Sequence, residues 1–235
     1  MNRFQFSGGS NLTTVVKNLL IINVLFFVAT FLLESKGLNL ISMFGVYYFD
    51  SPKFHYWQIL TYMFMHGSIG HIFFNMFALY MFGPILENIW GSKRFLYFYL
   101  ITGIGALVIQ MGVQAIEMHS LTGSFTYHDG QGVSQLVVQK VEEIYYGPVI
   151  GASGAIFGLL LAFGMLFPNA ELYIFFIPVA VKAKYMVPVY ILLELVLGVA
   201  QFSGDSVAHF AHLGGALFGF ILIKIWNRGQ PARLQ

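Results

Sequence analysis

Cysteine is absent from the chain, which excludes disulfides, thiolate metal sites and a cysteine nucleophile. Charge is scarce as well. Only 9% of the 235 residues are charged against 57% hydrophobic, with a mean hydropathy of +0.73, too little charge to coat a water-soluble globule of this size. An integral membrane protein is expected. The 12 basic residues are scattered between apolar runs, so the net charge of +2 offers no nucleic-acid-binding surface. An internal repeat of the transporter kind is also missing. The first apolar run has no small-residue cleavage site after it and is long enough to span, so an anchor is expected rather than a removable signal peptide.

What is present is a set of long apolar runs. A span takes about 20 apolar residues, and six segments qualify, at 15–34, 68–88, 95–116, 149–168, 185–203 and 207–226. They predict an all-α membrane protein with one six-helix domain over 15–226, a short N-terminal segment 1–14 and a tail 227–235. The stretch 35–67 carries Tyr47, Tyr48, Phe49, Phe54, Tyr56 and Trp57, residues that favour the headgroup region, and is expected to lie in the interface. Within the polar loop 119–147, Val133, Leu136, Val137, Val141 and Ile144 recur at helical spacing and predict a short amphipathic surface helix. The segment 171–183, apolar but broken by Pro178, is expected to be a re-entrant or interfacial connector.

Basic residues give the orientation. With a cytoplasmic N-terminus, the inner segments hold Arg3, Lys17, Lys93, Arg94, Lys182, Lys184, Lys224, Arg228 and Arg233, and the outer ones only Lys36, Lys53 and Lys140. That asymmetry predicts N-in and C-in. Spans two, four and six then begin at the outer face, and each carries polar groups in its first two turns: His71 and Asn75, then Ser153, then His209 and His212. At a rise of about 1.5 Å per residue they fall roughly 5 to 12 Å below the outer boundary. Polar groups in a membrane are costly unless they face one another or water, so their coincidence in one layer points to a site.

Glycine spacing indicates which spans touch. Gly154 and Gly158 in span four, and Gly215 and Gly219 in span six, are two small-xxx-small patterns that permit close backbone approach in lipid. Packing them together would bring Ser153 towards His212, and a serine hydroxyl needs such a base to become a nucleophile. His71 and Asn75, at i and i+4, share one helix face, and with the Ser153 backbone N–H they offer donors for a tetrahedral oxyanion. No aspartate accompanies them at that depth, since Asp205 falls in the outer turn. A Ser153–His212 dyad is therefore expected, with His212 oriented by packing.

The ordered set Trp57-Gln58, His66-xxxx-His71-xxx-Asn75, Gly83-xxx-Glu87-xxx-Gly91-xx-Arg94, Gly151-Ala-Ser153-Gly154 and Ala211-His212-Leu-Gly-Gly215-xxx-Gly219 resembles the rhomboid family of intramembrane serine proteases. The likeness runs over about 55–220. It implies a six-helix rhomboid-like bundle, Ser153 as nucleophile, His212 as general base and His71 with Asn75 as oxyanion-hole side chains. It also implies structural support from His66 and Trp57, alongside Gly151, and substrates that are single-span or multi-span membrane proteins. Gln58 stands where many relatives have arginine, and the loop 119–147 is longer than a minimal core needs.

Each residue has a plainer reading. Ser153 alone is a small packing residue, His212 and its rival His209 are histidines bonded within the bundle, and Glu87 and Arg94 are packing and capping groups. Glu194, near the middle of span five, is expected to be a protonated, hydrogen-bonded structural residue because its depth does not match the reactive layer. Two other functions compete with the protease: a non-catalytic rhomboid-like binder of transmembrane helices, and a haem or metal protein using His66, His71, His209 or His212. The missing carboxylate in the layer disfavours a hard-metal site, so neither a metal nor a cofactor is expected. The expected location is a bacterial cell membrane with the site on its outer side; substrate identity and oligomeric state are not legible.

Overall fold

The computed structural model describes residues 12–127, 134–173, 180–200 and 208–227. Within them the chain is predominantly helical. Five helices are long and apolar enough to cross a membrane: α1 (Thr14–Glu34), α4 (Ile69–Trp90), α5 (Ser92–Thr122), α8 (Ala183–Ala200) and α9 (His209–Trp226 as a span, helical to Asn227). The short helices α2 (Leu40–Phe44), α3 (Gln58–Thr61) and α6 (Gln135–Tyr146) lie outside these spans.

The expected fourth span is different in kind. α7 covers only Ser153–Leu166, 14 residues, or about 21 Å at helical rise. Nine of those residues are buried, because α9, α5, α4 and α8 pack around it. α7 is thus a central strut shorter than an apolar bilayer core of about 30 Å. Residues 149–152, expected inside this span, are not helical. Val149 forms an antiparallel bridge with Val46, and the Gly151 N–H donates to the Tyr62 carbonyl at 2.9 Å.

Those two contacts come from the stretch 35–67, which is a folded platform. α2, α3 and a 3-10 turn at Tyr62–Phe64 stack in it, tied by the Thr61 hydroxyl to Phe44 O at 2.8 Å and by the Tyr62 hydroxyl to Gly103 O at 2.7 Å. Gln58, fully buried, donates to the carbonyls of Met43 and Lys53 and accepts from His55 N–H, while the Trp57 indole N–H also donates to Met43 O. Of the aromatics expected at the headgroups, Phe49, Tyr56 and Trp57 are exposed, but Tyr47 and Tyr48 are buried in protein.

α5 extends well beyond the expected 95–116. Its 31 residues reach about 46 Å, more than an apolar core of about 30 Å takes. Near its last turns α6, the amphipathic helix that the apolar spacing predicted, buries Val141, Ile144 and Tyr145 against Tyr48, Met118 and Tyr127 in a second small core. Val133 lies outside the described residues. The segment 171–183 contributes two short antiparallel strands, β1 (Glu171–Tyr173) and β2 (Ala180–Lys182); Pro178 between them lies outside the described residues.

At the opposite end of the bundle, Glu87 organises three helices. Its buried carboxylate accepts from the backbone N–H groups of Val15 and Val16 at 3.1 and 3.0 Å and from the Ser92 hydroxyl at 2.6 Å. α1 has no side-chain bond from its own N-cap, so a carboxylate from α4 satisfies its free N–H groups and opposes the helix dipole. Gly83, one turn earlier on α4, leaves room for Val16, whose Cγ2 would lie 2.7 Å from a methyl there. Arg94 lies over the Trp226 ring at 4.1 Å and ties α5 to α9. Replacing Glu87 by alanine strands two buried N–H groups, so Glu87→Ala is expected to destabilise the fold by about 2–4 kcal/mol. Thermal unfolding in detergent measures this, with Glu87→Gln losing less.

Candidate active site

Ser153 is the first residue of α7, half-buried, and follows a turn that only glycine accommodates easily. Gly151 has φ +127, and a Cβ there would meet His71 Nε2 at 2.7 Å and Ser153 Oγ at 3.5 Å. His71 and Ser153 therefore flank the same empty spot above Gly151. The Ser68 hydroxyl caps α4 by accepting from the His71 backbone N–H at 3.1 Å, which fixes the first turn that carries the imidazole. One turn along, buried Asn75 donates through Nδ2 to the His71 carbonyl at 3.0 Å, so one of its two amide hydrogens is already engaged within α4.

α9 brings His212. Gly215 packs directly on the Gly154 carbonyl, and a Cβ on Gly219 would sit 3.1 Å from Gly158 Cα. The two glycine faces thus meet backbone to backbone, with Ala106 and Thr102 of α5 against Gly154 and Gly158 from the other side. In that register the His212 ring stacks on Phe157, centroids 4.3 Å apart and planes 6° apart. Phe157 is four residues after Ser153, on the same face of α7, so the imidazole stacks one turn along α7 from the serine.

Glu194 corrects the sequence expectation. Its carboxylate Oε2 lies 2.8 Å from His212 Nδ1 and 2.6 Å from His209 Nδ1, and all three residues are buried. Depth counted from predicted span ends placed Glu194 below the layer. The structure sets α8 and α9 in antiparallel contact, where a Cβ on Gly198 would sit 3.1 Å from His209 Cβ, so Glu194, one turn below Gly198, is level with His212. The layer does contain a carboxylate, and it is hydrogen-bonded to His212. Phe157 and the partnership of Glu194 were both missed; a carboxylate inside an apolar span, 18 residues before the candidate base, was the available signal. Asp205 lies outside the described residues.

Glu194, His209 and His212 also form a group that could hold a metal ion, their ligand atoms lying within 4.8 Å of one another. The expectation of no metal rested on a missing carboxylate, and that reason does not stand. The N···O separations of 2.6 and 2.8 Å are nevertheless hydrogen bonds, shorter than the roughly 3.3 Å between ligands of one tetrahedral zinc with bonds of about 2.0–2.1 Å.

His66 is fully buried and packs edge-on against the His71 ring, centroids 4.9 Å apart, with neither ring nitrogen in hydrogen-bonding geometry among the described residues. Burial, with the neighbouring His71 adding to it and the Phe64 backbone offsetting a part, pushes its imidazole down to about 4. It is a neutral spacer behind His71.

The chain belongs to the rhomboid family: residues 53–228 match the rhomboid domain. Among curated proteins it is 30% identical over 188 residues to the mitochondrial RHOMBOID-like protein 12 of Arabidopsis thaliana, covering 80% of this chain and 50% of that protein. It is 30% identical over 177 residues to the mitochondrial presenilin-associated rhomboid-like protein of Homo sapiens, covering 72% and 38%. It is 27% identical over 184 residues to the mitochondrial Rhomboid protein 1 of Saccharomyces cerevisiae, covering 76% and 45%. The matched region spans half or less of each of these relatives. The mitochondrial names of these relatives overturn the expected bacterial cell membrane.

Two outcomes follow for the site. Gly151→Ala forces a side chain into a backbone conformation that costs about 1–3 kcal/mol and into the His71 ring; a more than tenfold loss of fluorophosphonate labelling at Ser153, with helical content retained, is the expected result. For His66, the unfolded chain binds more protons than the folded one between about pH 6.5 and 4, so this histidine's contribution to stability is complete above pH 6.5 and lost as pH falls through about 4. Thermal unfolding across that range is expected to show a decline that His66→Asn flattens.

Proposed function

We propose that this protein is an intramembrane serine endopeptidase that cleaves peptide bonds in or near transmembrane segments of membrane-protein substrates. Ser153 is the nucleophile and His212 the general base. The observation that supports this reading is the placement of the His212 ring on Phe157, one turn from Ser153, with Nδ1 occupied by Glu194; Nε2 is then the atom assigned to take the serine proton.

In the first half-reaction the Ser153 hydroxyl proton passes to His212 Nε2 as Oγ attacks the scissile carbonyl. The oxyanion is met by the Ser153 backbone N–H at the start of α7, by His71 and by the remaining Asn75 amide hydrogen. The intermediate collapses as the imidazolium gives its proton to the leaving amine, and water releases the acyl group by the same steps in reverse order.

The fold we propose has six spans, α7 being the short central one, with both termini on one side of a mitochondrial membrane and the Ser153 end towards the other. A scissile bond must leave its helix to be attacked, so helix-breaking or small residues near the substrate's boundary on that side are favoured. Ser153→Ala in proteoliposomes is expected to lower cleavage of a panel of single-span substrates by about 10⁴-fold or more, with the fold intact. Cleavage retained by that variant would overturn the reading, and a wild type that neither cleaves nor takes a fluorophosphonate would favour a non-catalytic binder of transmembrane helices.

A further inference from the structure

We infer that Glu194 is a positioning residue for His212, with His209 as its second hydrogen-bond donor, so that the site works as a serine, histidine and carboxylate triad rather than as a dyad. The inference rests on the assignment of Ser153 and His212 above. One carboxylate oxygen receives both imidazoles through the same ring atom, Nδ1, at 2.6 and 2.8 Å, in a cluster buried on every side.

The chemistry of that contact fixes a tautomer. An ionised carboxylate only accepts, so each histidine presents Nδ1–H to it, and neutral His212 then carries its lone pair on Nε2. Nε2 is the atom that must take the Ser153 proton. When it does, the positive charge on His212 arises beside the carboxylate, where a low-dielectric surrounding strengthens the attraction. The proton leaves with the amine product and Glu194 is never protonated, so nothing remains to be reset.

His209 has a separate part. A buried carboxylate with a single donor is poorly satisfied, and the second N–H at 2.6 Å completes the solvation of Oε2. Phe157 and Tyr190 close the other sides: Phe157 stacks on His212, and Tyr190 of α8 packs on Phe157 with ring centroids 5.0 Å apart. With Phe157 beneath the ring and Glu194 at its edge, His212 has no freedom to flip.

The test compares Glu194→Gln, Glu194→Asp and Glu194→Ala in full-length protein reconstituted in vesicles. Glutamine keeps the volume but can offer an N–H to His212 Nδ1, which moves the proton to Nε2 and blocks the base. Glu194→Gln is therefore expected to lower kcat by about 10²- to 10⁴-fold, at least as much as Glu194→Ala, with KM changed less than about twofold. Glu194→Asp restores a large part of kcat. Nitrogen-15 NMR of histidine-labelled protein is expected to show His212 protonated at Nδ1 in the wild type and at Nε2 in Glu194→Gln. A kcat within about threefold of wild type in Glu194→Gln, or an unchanged His212 tautomer, would overturn the proposal. The tautomer is read without substrate, so it decides the role of Glu194 even if Ser153→Ala shows that the protease assignment fails.

Discussion

The contact between α7 and α9 is the constraint on which the site depends. In lipid, two helices gain nothing from hiding apolar surface, so they associate through close packing, and only residues without side chains permit the closest approach. Gly154 and Gly215 meet carbonyl to Cα, Gly158 and Gly219 meet one turn further on, and Ala106 and Thr102 of α5 fill the opposite side. That contact sets the rotation of both helices. With rotation fixed, Ser153 at the head of α7 and His212 at the head of α9 have little freedom left. A methyl group on Gly215 would push against the Gly154 backbone rather than a mobile side chain, so the separation of Ser153 and His212 is held by atoms that cannot yield.

The second constraint is that α7 is too short to cross alone. α7 begins only at Ser153, and the chain enters it through the non-helical residues Val149–Ala152. Non-helical backbone at membrane depth is tolerated only when buried in protein or lining a cavity. Here the Val46 bridge and the Tyr62 carbonyl satisfy Val149 and Gly151, so the platform 35–67 exists to hold the strand that leads into the serine. The same need explains why Tyr47 and Tyr48 are buried. Their segment faces the strand and the α6 core, while Tyr56 and Trp57 beyond it remain exposed.

Much of this was legible in the sequence because membrane packing leaves few options. Long apolar runs located four of the five long spans to within a few residues, the glycine pairs named the helices that touch, and the spacing of Val137, Val141 and Ile144 marked α6. α5 overran its predicted end because its last turns are supported by α6 rather than by lipid, so hydropathy stopped tracking helix length. α7 was overextended for the opposite reason: Val149 and Ile150 are apolar enough for a span, but the backbone of Val149 and Gly151 pairs with another segment. Residue composition carries no record of that pairing.

Glu194 shows where counting along a chain fails. Depth measured from span ends depends on knowing those ends, and an error of three residues at the top of α8 shifts a side chain by about 4.5 Å, almost one helical turn. An antiparallel contact is a better ruler. Gly198 against His209 makes the residue numbers of facing positions on α8 and α9 sum to a constant, and that sum puts Glu194 opposite the turn that holds His212. A buried carboxylate without partners would be expelled or neutralised, so its presence in an apolar span already implies donors on a neighbouring helix. In this chain the donors within one turn of that level are His209 and His212, and both reach it through Nδ1. The energetic demand of the carboxylate and the chemical demand of the base are met by the same two hydrogen bonds.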